Sequence, residues 1–563
     1  MLTTGKWQCR EVINLLVEYG VRNIVLCPGT RNTPLIIAAV RNPRVSVHTV
    51  VDERSASFIA YGMSKQSGEP VAVVCTSGSA VLNLTPAISE AYYAHVPLIA
   101  VTADRPSEWI DQDDSQTMRQ KSVMKDFTVD SVNVSCHCES PELRAAISRD
   151  LNVALTKCVN SFRGPVHINV EVDEPISEEV EISDNEAFSC RKINIHCGHG
   201  LAADGKKHIV DRLSKAERIM LVGGFSCSLT DHEKNILNSF ALRPNVVFLS
   251  ETIGNYNSSG SITMIDEALV FIRNRKQEYY PDVIITFGGA LVSRALKDFL
   301  RDSKAEHWMV GHHQSYPDCY SRLTEVYPEA DDFINTLNDV SIIDSEYSLK
   351  WKRVNNEIKI IRKKYMTDAP WSDLVAIDML CRNLPIDWNL QLSNGMTVRY
   401  ALGVSGSNAA TISCNRGISG IDGSFSTAVG AASVSDRNTL LITGDMSAQY
   451  DMGAMASILI DSRLRVAVMM NDGGEIFRFI RTTCSLPELD DYIATHANFP
   501  AEKLAEGFGF RYLKSSSEDE LTEVLPEFFG ESDRPVLLAI YTDGTESARI
   551  FHDYFKIYKN YTI

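Results

Sequence analysis

Hydrophobic positions near the start of the chain follow two alternating patterns. Residues 7–20 carry apolar side chains at helical spacing, and residues 24–27 form a short continuous apolar run. Further apolar runs follow at 45–51, 71–75, 98–102 and 166–172, separated by helix-length stretches such as 79–94. Continuous apolar strands that alternate with helices are typical of a parallel sheet covered on both faces. This pattern predicts a first α/β domain over residues 1–180.

The same alternation occurs twice more. Strand patterns at 219–224, 283–289 and 308–311 predict a central Rossmann-like domain over residues 200–340, and those at 439–443, 466–470 and 536–540 predict a third domain over 346–563. The central strands end in glycines but lack a full dinucleotide fingerprint, which favours plain structural turns. The predicted fold class is α/β, with three consecutive doubly wound parallel-sheet domains.

Composition narrows the class of protein. The chain has 563 residues, which is enough for about three domains, and 55 Lys+Arg against 72 Asp+Glu give a net charge of −17. This balance argues against binding to nucleic acid or to an anionic membrane, so an anionic substrate needs a local arginine cluster. No apolar run reaches the roughly 18 residues of a membrane span, and no signal-peptide pattern begins the chain. We therefore expect a cytoplasmic protein.

The cysteines and histidines give no clear metal signal. Thirteen cysteines are scattered mostly singly, so we expect reduced thiols and no disulfides. The clusters at 136–138 and 196–199 lack the paired spacing of zinc fingers. His48 and His167 lie in strand patterns and are interpreted as core residues.

Two strand ends carry the most informative chemistry. Asp445, in the sequence Gly-Asp-Met-Ser, follows the apolar strand at 440–442, and Asn471, in Asn-Asp-Gly-Gly, follows the next strand twenty-six positions later. Adjacent parallel strands would place these two oxygen ligands side by side, as Mg²⁺ prefers. Either residue alone is better interpreted as an ordinary helix cap, but the pair at this spacing favours a metal–diphosphate site.

This arrangement resembles the diphosphate-binding motif of the thiamine-diphosphate-dependent enzyme family. The resemblance implies that Asp445, Asn471 and the carbonyl of Gly473 hold Mg²⁺ or Mn²⁺. Met446 and Met470 depart from the common motif without removing a ligand. The implied contacts to thiamine diphosphate are Glu53, Thr76, Ile421, Gly444, Asp445, Met446, Ser447, Asn471, Gly473, Gly474, Ile476 and Phe477.

Glu53 is the candidate catalytic residue. It lies between an apolar strand and the predicted helix at 55–65. The family requires a glutamate that shares a proton with N1′ of the cofactor's aminopyrimidine, and a carboxyl against apolar surface has the raised pKa that this exchange needs. The alternative is a carboxylate that only stabilises a helix N-terminus.

Seven further segments occur in the order found in one branch of this family. That branch condenses 2-oxoglutarate with isochorismate and releases CO₂ in menaquinone biosynthesis. The resemblance implies a transferase whose first and third domains bind the pyrimidine and the diphosphate of the cofactor. It also implies a homodimer, or a homotetramer of two dimers, with active sites between subunits. The segments are 26–31, 52–55, 75–80, 102–106, 393–399, 415–423 and 474–477.

The resemblance also assigns the substrate contacts. Arg399 and Arg416 are expected to hold the succinyl end of 2-oxoglutarate, because a guanidinium matches a carboxylate in a bidentate geometry. The isochorismate side is assigned to Arg31, Arg105 and Gln116, with Arg294 at a position where lysine is expected. Ile421 is expected to bend the cofactor, and the apolar wall consists of Ile476, Phe477 and Ile480. Gly395 and Glu475 depart from relatives that have serine and glutamine there.

Two alternatives remain open. One is another thiamine-diphosphate 2-oxo acid decarboxylase or lyase, similar to acetolactate synthase, but its small substrates leave Arg399 and Arg416 without a task. The other is a non-catalytic protein that retains the fold, against which Glu53 argues, because binding a diphosphate does not need that carboxyl. The choice between dimer and tetramer, any regulation and the preferred cation stay open at this stage.

Overall fold

Three six-stranded parallel sheets organise the chain, with one additional two-stranded antiparallel sheet. The computed structural model describes residues 1–160, 163–193, 200–225, 229–256, 260–311, 316–404, 408–480 and 482–560. In each large sheet the chain starts near the middle and winds outward in both directions, so that helices cover both faces. The predicted fold class is confirmed.

The first sheet has the strand order β3-β2-β4-β5-β7-β6. Its elements are β1 (Leu2–Thr4), α1 (Trp7–Glu18), β2 (Asn23–Leu26), α2 (Thr33–Val40), β3 (Ser46–Thr49), α3 (Glu53–Ser67), β4 (Val71–Cys75), α4 (Ser79–Asn83), α5 (Thr85–Ala94), β5 (Leu98–Asp104), β6 (Asp130–Val134), α6 (Pro141–Val159), β7 (Val166–Glu171), β8 (Glu179–Glu181) and α7 (Asp184–Ala187). β8 pairs with β1, and the Asn14 side chain donates to the Ala187 carbonyl. Residues 179–193 thus contact this unit, and the boundary at 180 stays a prediction.

One predicted helix is two helices in the structure. Residues 79–94 divide into α4 and α5, with Pro86 in the first turn of α5. Proline has no amide hydrogen and its ring clashes with the carbonyl four residues earlier, so a helix that continues through Pro86 is broken there. The periodicity of apolar residues predicted the helical segment but not this break.

The central sheet has the order β11-β10-β9-β12-β13-β14. Its elements are α8 (Ala203–Leu213), β9 (Ile219–Gly223), α9 (Asp231–Ala241), β10 (Val246–Ser250), β11 (Ser261–Ile262), α10 (Ile265–Phe271), β12 (Val283–Phe287), α11 (Arg294–Ser303), β13 (Glu306–Val310), β14 (Leu323–Tyr327) and α12 (Ala330–Thr336). The Gly224 amide donates to the Phe287 carbonyl, and the Gly289 amide donates to the Phe225 carbonyl, both at 2.9 Å. These amides are therefore engaged inside the protein, which agrees with their interpretation as structural turns.

The third sheet has the order β16-β15-β17-β18-β20-β19. Its elements are α13 (Tyr347–Thr367), α14 (Asp373–Arg382), β15 (Asn389–Leu392), α15 (Met396–Leu402), β16 (Thr411–Cys414), α16 (Ser424–Ser433), β17 (Thr439–Gly444), α17 (Asp445–Tyr450), β18 (Leu464–Met470), α18 (Ile476–Phe479), α19 (Ala501–Gly507), β19 (Arg511–Ser515), α20 (Glu518–Phe529), β20 (Val536–Tyr541) and α21 (Gly544–Lys559). β17 and β18 are neighbours in parallel register. The ends that carry Asp445 and Asn471 therefore meet at one edge of the sheet.

Helices α3 and α16 join the first and third units within one chain. A Cβ atom added at Gly62 would lie 2.1 Å from the Thr427 carbonyl oxygen, and one added at Gly430 would lie 2.0 Å from the Ile59 oxygen. Only glycine allows two helix backbones to approach this closely. This crossing fixes the position of α3, which begins with Glu53, against the third unit.

Two further findings concern predicted absences. In the ranges described above, no helix is long and apolar enough to cross a membrane. The cysteines that the structure describes are free thiols, and most are buried. The cluster at 196–199 lies outside the described residues.

Candidate functional site

Asp445 is a buried carboxylate at the first residue of α17. It accepts hydrogen bonds from the amides of Met446 at 2.7 Å, Asp472 at 2.8 Å and Gly473 at 3.3 Å. Burial raises the pKa of Asp445 to about 6, against the lowering effect of these amides. The cost of this buried negative charge is reduced when a cation lies beside it.

Asn471, at the end of β18, presents an unsatisfied oxygen at the same edge. Its Oδ1 atom is buried and has no hydrogen-bond partner among the described residues. Beyond it Gly473 has a φ of +126°, and a Cβ atom there would lie 2.1 Å from the Thr495 carbonyl oxygen. An unpartnered amide oxygen beside a buried carboxylate is a donor set that fits a hard divalent cation.

Glu475 lies next to these groups and is itself buried. The Tyr400 hydroxyl donates to its carboxyl group. Burial raises the pKa of Glu475 well above its ordinary value, and the neighbouring Asp373 adds to the effect. The uncharged, protonated form is thereby favoured, which gives this side chain the same lack of charge as the glutamine of relatives.

A loop at 415–421 is fixed by three outside contacts. The Glu90 carboxylate accepts from the amides of Gly417 and Ile418, both at 2.7 Å. The Asn394 side chain donates to the Gly420 carbonyl at 2.7 Å, and the Ser447 hydroxyl donates to the Ile421 carbonyl at 2.6 Å. Ser447 lies two residues after Asp445 in α17. This hydrogen bond therefore joins Ser447 and Ile421, which are predicted cofactor contacts from two different motifs.

Arg399 and Arg416 form an arginine pair without an internal counter-ion. The Arg416 Nη1 atom donates to the Asn394 amide oxygen at 2.8 Å, while its buried Nε atom has no partner among the described residues. Burial lowers the pKa of Arg399, and the positive charge of Arg416 lowers it further. In the described part of the chain neither guanidinium forms an ion pair. The pair is thus suited to an anion that comes from outside the protein.

Two carboxyl groups of the central unit interact electrostatically with this arginine pair. Glu251 accepts from the amides of Val292 at 2.8 Å and Ser293 at 2.7 Å, and the Ser293 hydroxyl donates to Asp266. Burial raises the pKa of Glu251 to about 7, and burial also raises that of Asp266. Arg294 follows Ser293 as the exposed first residue of α11. A cavity of about 60 Å³ beside Arg399 is lined in part by Glu251 and Asp266.

Apart from Arg294, the predicted isochorismate contacts lie at the strand ends of the first sheet. Arg31 binds the Val172 carbonyl at 2.9 Å and Glu174 at 3.1 Å. Arg105 forms an ion pair with Asp114 at 2.9 Å, and a Cβ atom added at Gly29 would clash with Thr76.

Gln116 shares this edge of the first sheet. Its side-chain amide donates to the Ser77 carbonyl at 3.1 Å, and its backbone has a φ of +56°. The Ser77 hydroxyl donates back to the Gln116 carbonyl at 3.0 Å. These contacts hold Gln116 beside Ser77, the residue that directly follows Thr76.

Glu53 is the first residue of α3 and is half-buried. Its carboxylate has no hydrogen bond or ion pair within the described residues. The neighbouring Arg54 donates to the Tyr450 carbonyl at 2.7 Å and lies over the Tyr450 ring. Asp445 begins α17 and Tyr450 ends it. Within one chain, Arg54 therefore contacts the end of this helix that lies away from Asp445.

The apolar candidates follow Gly474. Ile476 and Phe477 lie in α18, none of whose residues is fully buried, and Ile480 directly follows it with 38% of its surface exposed. A Cβ atom added at Gly474 would lie 2.7 Å from the Phe477 ring. These side chains therefore leave apolar surface open beside the Asn471 strand end. A cavity of about 640 Å³ lies elsewhere, and none of the predicted site residues lines it.

Comparisons with known proteins agree with this geometry. Residues 10–123 match the family model "Thiamine pyrophosphate enzyme, N-terminal TPP binding domain", and residues 394–540 match the C-terminal TPP binding domain of the same enzymes. A 2-succinyl-5-enolpyruvyl-6-hydroxy-3-cyclohexene-1-carboxylate synthase of Porphyromonas gingivalis is 37% identical over 97% of this chain and 96% of its own length. Synthases of the same name from Phocaeicola vulgatus and Flavobacterium johnsoniae are 36% and 34% identical, over 98% and 97% of this chain and 98% of their own lengths.

The chain belongs to the 2-succinyl-5-enolpyruvyl-6-hydroxy-3-cyclohexene-1-carboxylate synthase family. Membership in this synthase family confirms the predicted resemblance, the thiamine-diphosphate cofactor, the transferase class and the place in menaquinone biosynthesis. Its substrates are small molecules. The individual site residues, the cation and the assembly are not tested by the comparisons and stay predictions.

Sequence reasoning missed several groups that surround the synthase site. Asp373, Tyr400, Glu251 and Asp266 are buried polar residues that contact or face predicted site residues. None of them belongs to a motif with a fixed spacing. The sequence therefore offered no signal that would single them out.

Proposed function

We propose that this chain decarboxylates 2-oxoglutarate and adds the resulting succinyl-semialdehyde carbanion to isochorismate, with Mg²⁺ or Mn²⁺ and thiamine diphosphate bound. The products are CO₂ and 2-succinyl-5-enolpyruvyl-6-hydroxy-3-cyclohexene-1-carboxylate. Bound thiamine diphosphate supplies the nucleophilic carbon and accepts the electron pair that decarboxylation releases. The observation that carries the choice of substrate is the arginine pair without an internal counter-ion.

The arginine pair selects for a dicarboxylate. In a 2-oxo acid one carboxylate leaves as CO₂, so a second carboxylate is needed if the remaining chain is to be held through the reaction. Arg399 and Arg416 supply half-buried, like-charged guanidinium groups, and Arg416 has a donor without a partner. Pyruvate has no second carboxylate and would leave these charges unpaired, which supports 2-oxoglutarate over small 2-oxo acids.

The cation would be held by Asp445, Asn471 and the Gly473 carbonyl. Support comes from the buried Asp445 carboxylate and the unpartnered Asn471 oxygen at adjacent strand ends. The cation would in turn bind the diphosphate, because its remaining ligand positions suit phosphate oxygens. Ile421, Ile476, Phe477 and Ile480 would surround the reacting end with apolar surface.

Glu53 would hold and exchange the proton at N1′ of the aminopyrimidine, across a homodimer interface. Support comes from its surroundings: Val51 and Tyr450 are 77% and 52% exposed, and Met452 is 39% exposed. Arg54 contacts Tyr450, and a Cβ atom on Gly453 would lie 2.9 Å from Asp52, so these apolar residues flank Glu53. Exposed apolar surface of this kind marks an interface with a partner. A second copy of the chain would place its own Asp445 site there.

The proposed function is tested with purified protein, Mg²⁺ and thiamine diphosphate. Consumption of 2-oxoglutarate with isochorismate is compared with consumption of pyruvate, and consumption of pyruvate alone would refute the proposal. Glu53→Gln is expected to lower turnover by roughly 10²- to 10⁴-fold while cofactor affinity, measured by calorimetry, changes moderately. The control is Glu69→Gln, an exposed glutamate after the end of α3. A non-catalytic protein would show no turnover even without the substitution.

A further inference from the structure

Asn471 is held by two carboxyl groups on one side of its amide. Its Nδ2 atom donates to Asp373 Oδ2 at 2.6 Å and to Glu475 Oε2 at 3.3 Å. Asp373 lies 98 positions earlier in the chain, at the first residue of α14. The amide nitrogen of Asn471 is therefore fully engaged with acceptors.

These two contacts decide which way the amide points. The Asp373 Oδ2 atom, 2.6 Å from the Asn471 amide, accepts a hydrogen bond from an NH₂ group, whereas an amide oxygen in the same place would face this carboxyl oxygen without a hydrogen atom between them. The NH₂ group must therefore face Asp373 and Glu475, and Oδ1 must face away from them. Oδ1 is the buried atom without a partner at the edge where Asp445 lies.

Asp373 is itself fixed by the last strand and helix of the chain. The Thr542 hydroxyl, after β20, donates to Asp373 Oδ1, and the Asp373 amide donates to the Ser547 hydroxyl in α21 at 3.1 Å. A Cβ atom added at Gly544 would lie 2.7 Å from the Asn471 carbonyl oxygen. The Asp373 side chain thus cannot turn away from Asn471 without losing its hydrogen bond from Thr542, while the Ser547 contact fixes its backbone.

We propose that Asp373 is a positioning residue, which orients the Asn471 amide so that Oδ1 is presented to the divalent cation. It does not contact the cation. The inference rests on the proposed function in one respect, namely that the cation binds at Asp445 and Asn471. It extends that function by making cation affinity depend on a contact between α14 and β18, supported by the C-terminal residues Thr542 and Ser547.

The test is Asp373→Asn, which keeps the size of the side chain and replaces one acceptor oxygen by an NH₂ group. The new group competes with Asn471 Nδ2 as a donor, so the Asn471 amide is expected to turn and present nitrogen to the cation. Mn²⁺ binding to the full-length protein is followed by electron paramagnetic resonance with thiamine diphosphate present. Affinity is expected to fall roughly 10- to 100-fold, the usual cost of losing a group that orients a metal ligand.

The matched control is Asp378→Asn on the same helix. Asp378 is also buried, but it pairs with Arg362 at 2.7 Å and contacts no predicted ligand. Its loss is expected to lower stability in urea and to leave Mn²⁺ affinity unchanged. Thr542→Val, which removes the hydroxyl that holds Asp373, is expected to weaken Mn²⁺ binding about tenfold and decides the matter if Asp373→Asn does not fold.

The possible outcomes are distinct. Unchanged Mn²⁺ affinity in both Asp373→Asn and Thr542→Val overturns the inference and leaves the proposed function standing. An equal loss in Asp378→Asn also overturns it, because the effect would then be one of general stability. If the unsubstituted protein takes up no Mn²⁺ with thiamine diphosphate, the proposed cation site itself is refuted, and the inference with it.

Discussion

Replacing Arg416 by methionine should separate substrate binding from stability. In the free protein Arg416 makes one side-chain hydrogen bond, to Asn394, and buries Nε without a partner. A hydrogen bond to a charged group is worth about 1.5–3 kcal/mol, and an unsatisfied buried donor costs about 1–3 kcal/mol, so removing both nearly cancels. We expect the free energy of unfolding to change by less than about 1 kcal/mol.

Binding of 2-oxoglutarate should respond much more strongly. The substitution removes a charge-assisted hydrogen bond to the substrate carboxylate, worth about 1.5–3 kcal/mol. At about 1.4 kcal/mol per factor of ten, KM for 2-oxoglutarate should rise roughly 10- to 150-fold. The assay is steady-state turnover at saturating isochorismate, with thermal unfolding of the free protein measured in parallel.

Arg362→Met is the matched control. Arg362 is also a buried arginine, but it pairs with the buried Asp378 at 2.7 Å. Its removal leaves the buried Asp378 carboxylate with the more exposed Arg382, at 2.9 Å, and should cost about 3 kcal/mol of stability while KM stays unchanged. The reasoning is refuted if Arg416→Met leaves KM unchanged, or if it destabilises the free protein as much as Arg362→Met does.

Two further outcomes are expected. Val51→Asp should convert the proposed dimer to monomers in analytical ultracentrifugation and abolish cofactor binding. Val40→Asp should do neither, because Val40 is similarly exposed at 61% but precedes β3, at the end opposite Val51. Burial lowers the pKa of His167 to about 4, so the folded protein favours the neutral imidazole. This preference contributes about 3 kcal/mol to the free energy of unfolding above pH 6.5, and the contribution is lost as the pH falls towards 4. His167→Gln should therefore reduce the loss of stability in urea between pH 7 and pH 5; an unchanged loss would contradict this.

The proximity of Asp445 and Asn471 could be predicted because it depends on local order. Each residue directly follows an apolar strand, and consecutive parallel strands place their carboxyl ends at the same edge of a sheet. The structure pairs β17 with β18, as this reasoning requires. The strand ends and the positions of the glycines between them follow from a short stretch of sequence, without knowledge of the rest of the chain.

The contact between Asp373 and Asn471 could not be predicted in the same way. The two residues are 98 positions apart, and the contact requires α14, β18 and β20 to be packed in their final arrangement. A single aspartate after a serine looks like an ordinary helix start, and this interpretation is also correct for Asp373. Its second role exists only in three dimensions, so no spacing rule in the sequence could show it.

Burial explains how a protein of net charge −17 keeps positive charge at Arg399 and Arg416, the proposed substrate contacts. Arg31 is paired with Glu174, a carboxylate that is largely exposed. Two carboxyl groups that interact electrostatically with Arg399 and Arg416, Glu251 and Asp266, have pKa values raised by burial, that of Glu251 to about 7. The protein therefore provides shape and hydrogen bonds around the arginine pair without cancelling its charge. A substrate with its own carboxylate can neutralise that charge at full strength, whereas a fully ionised Glu251 would compete with it.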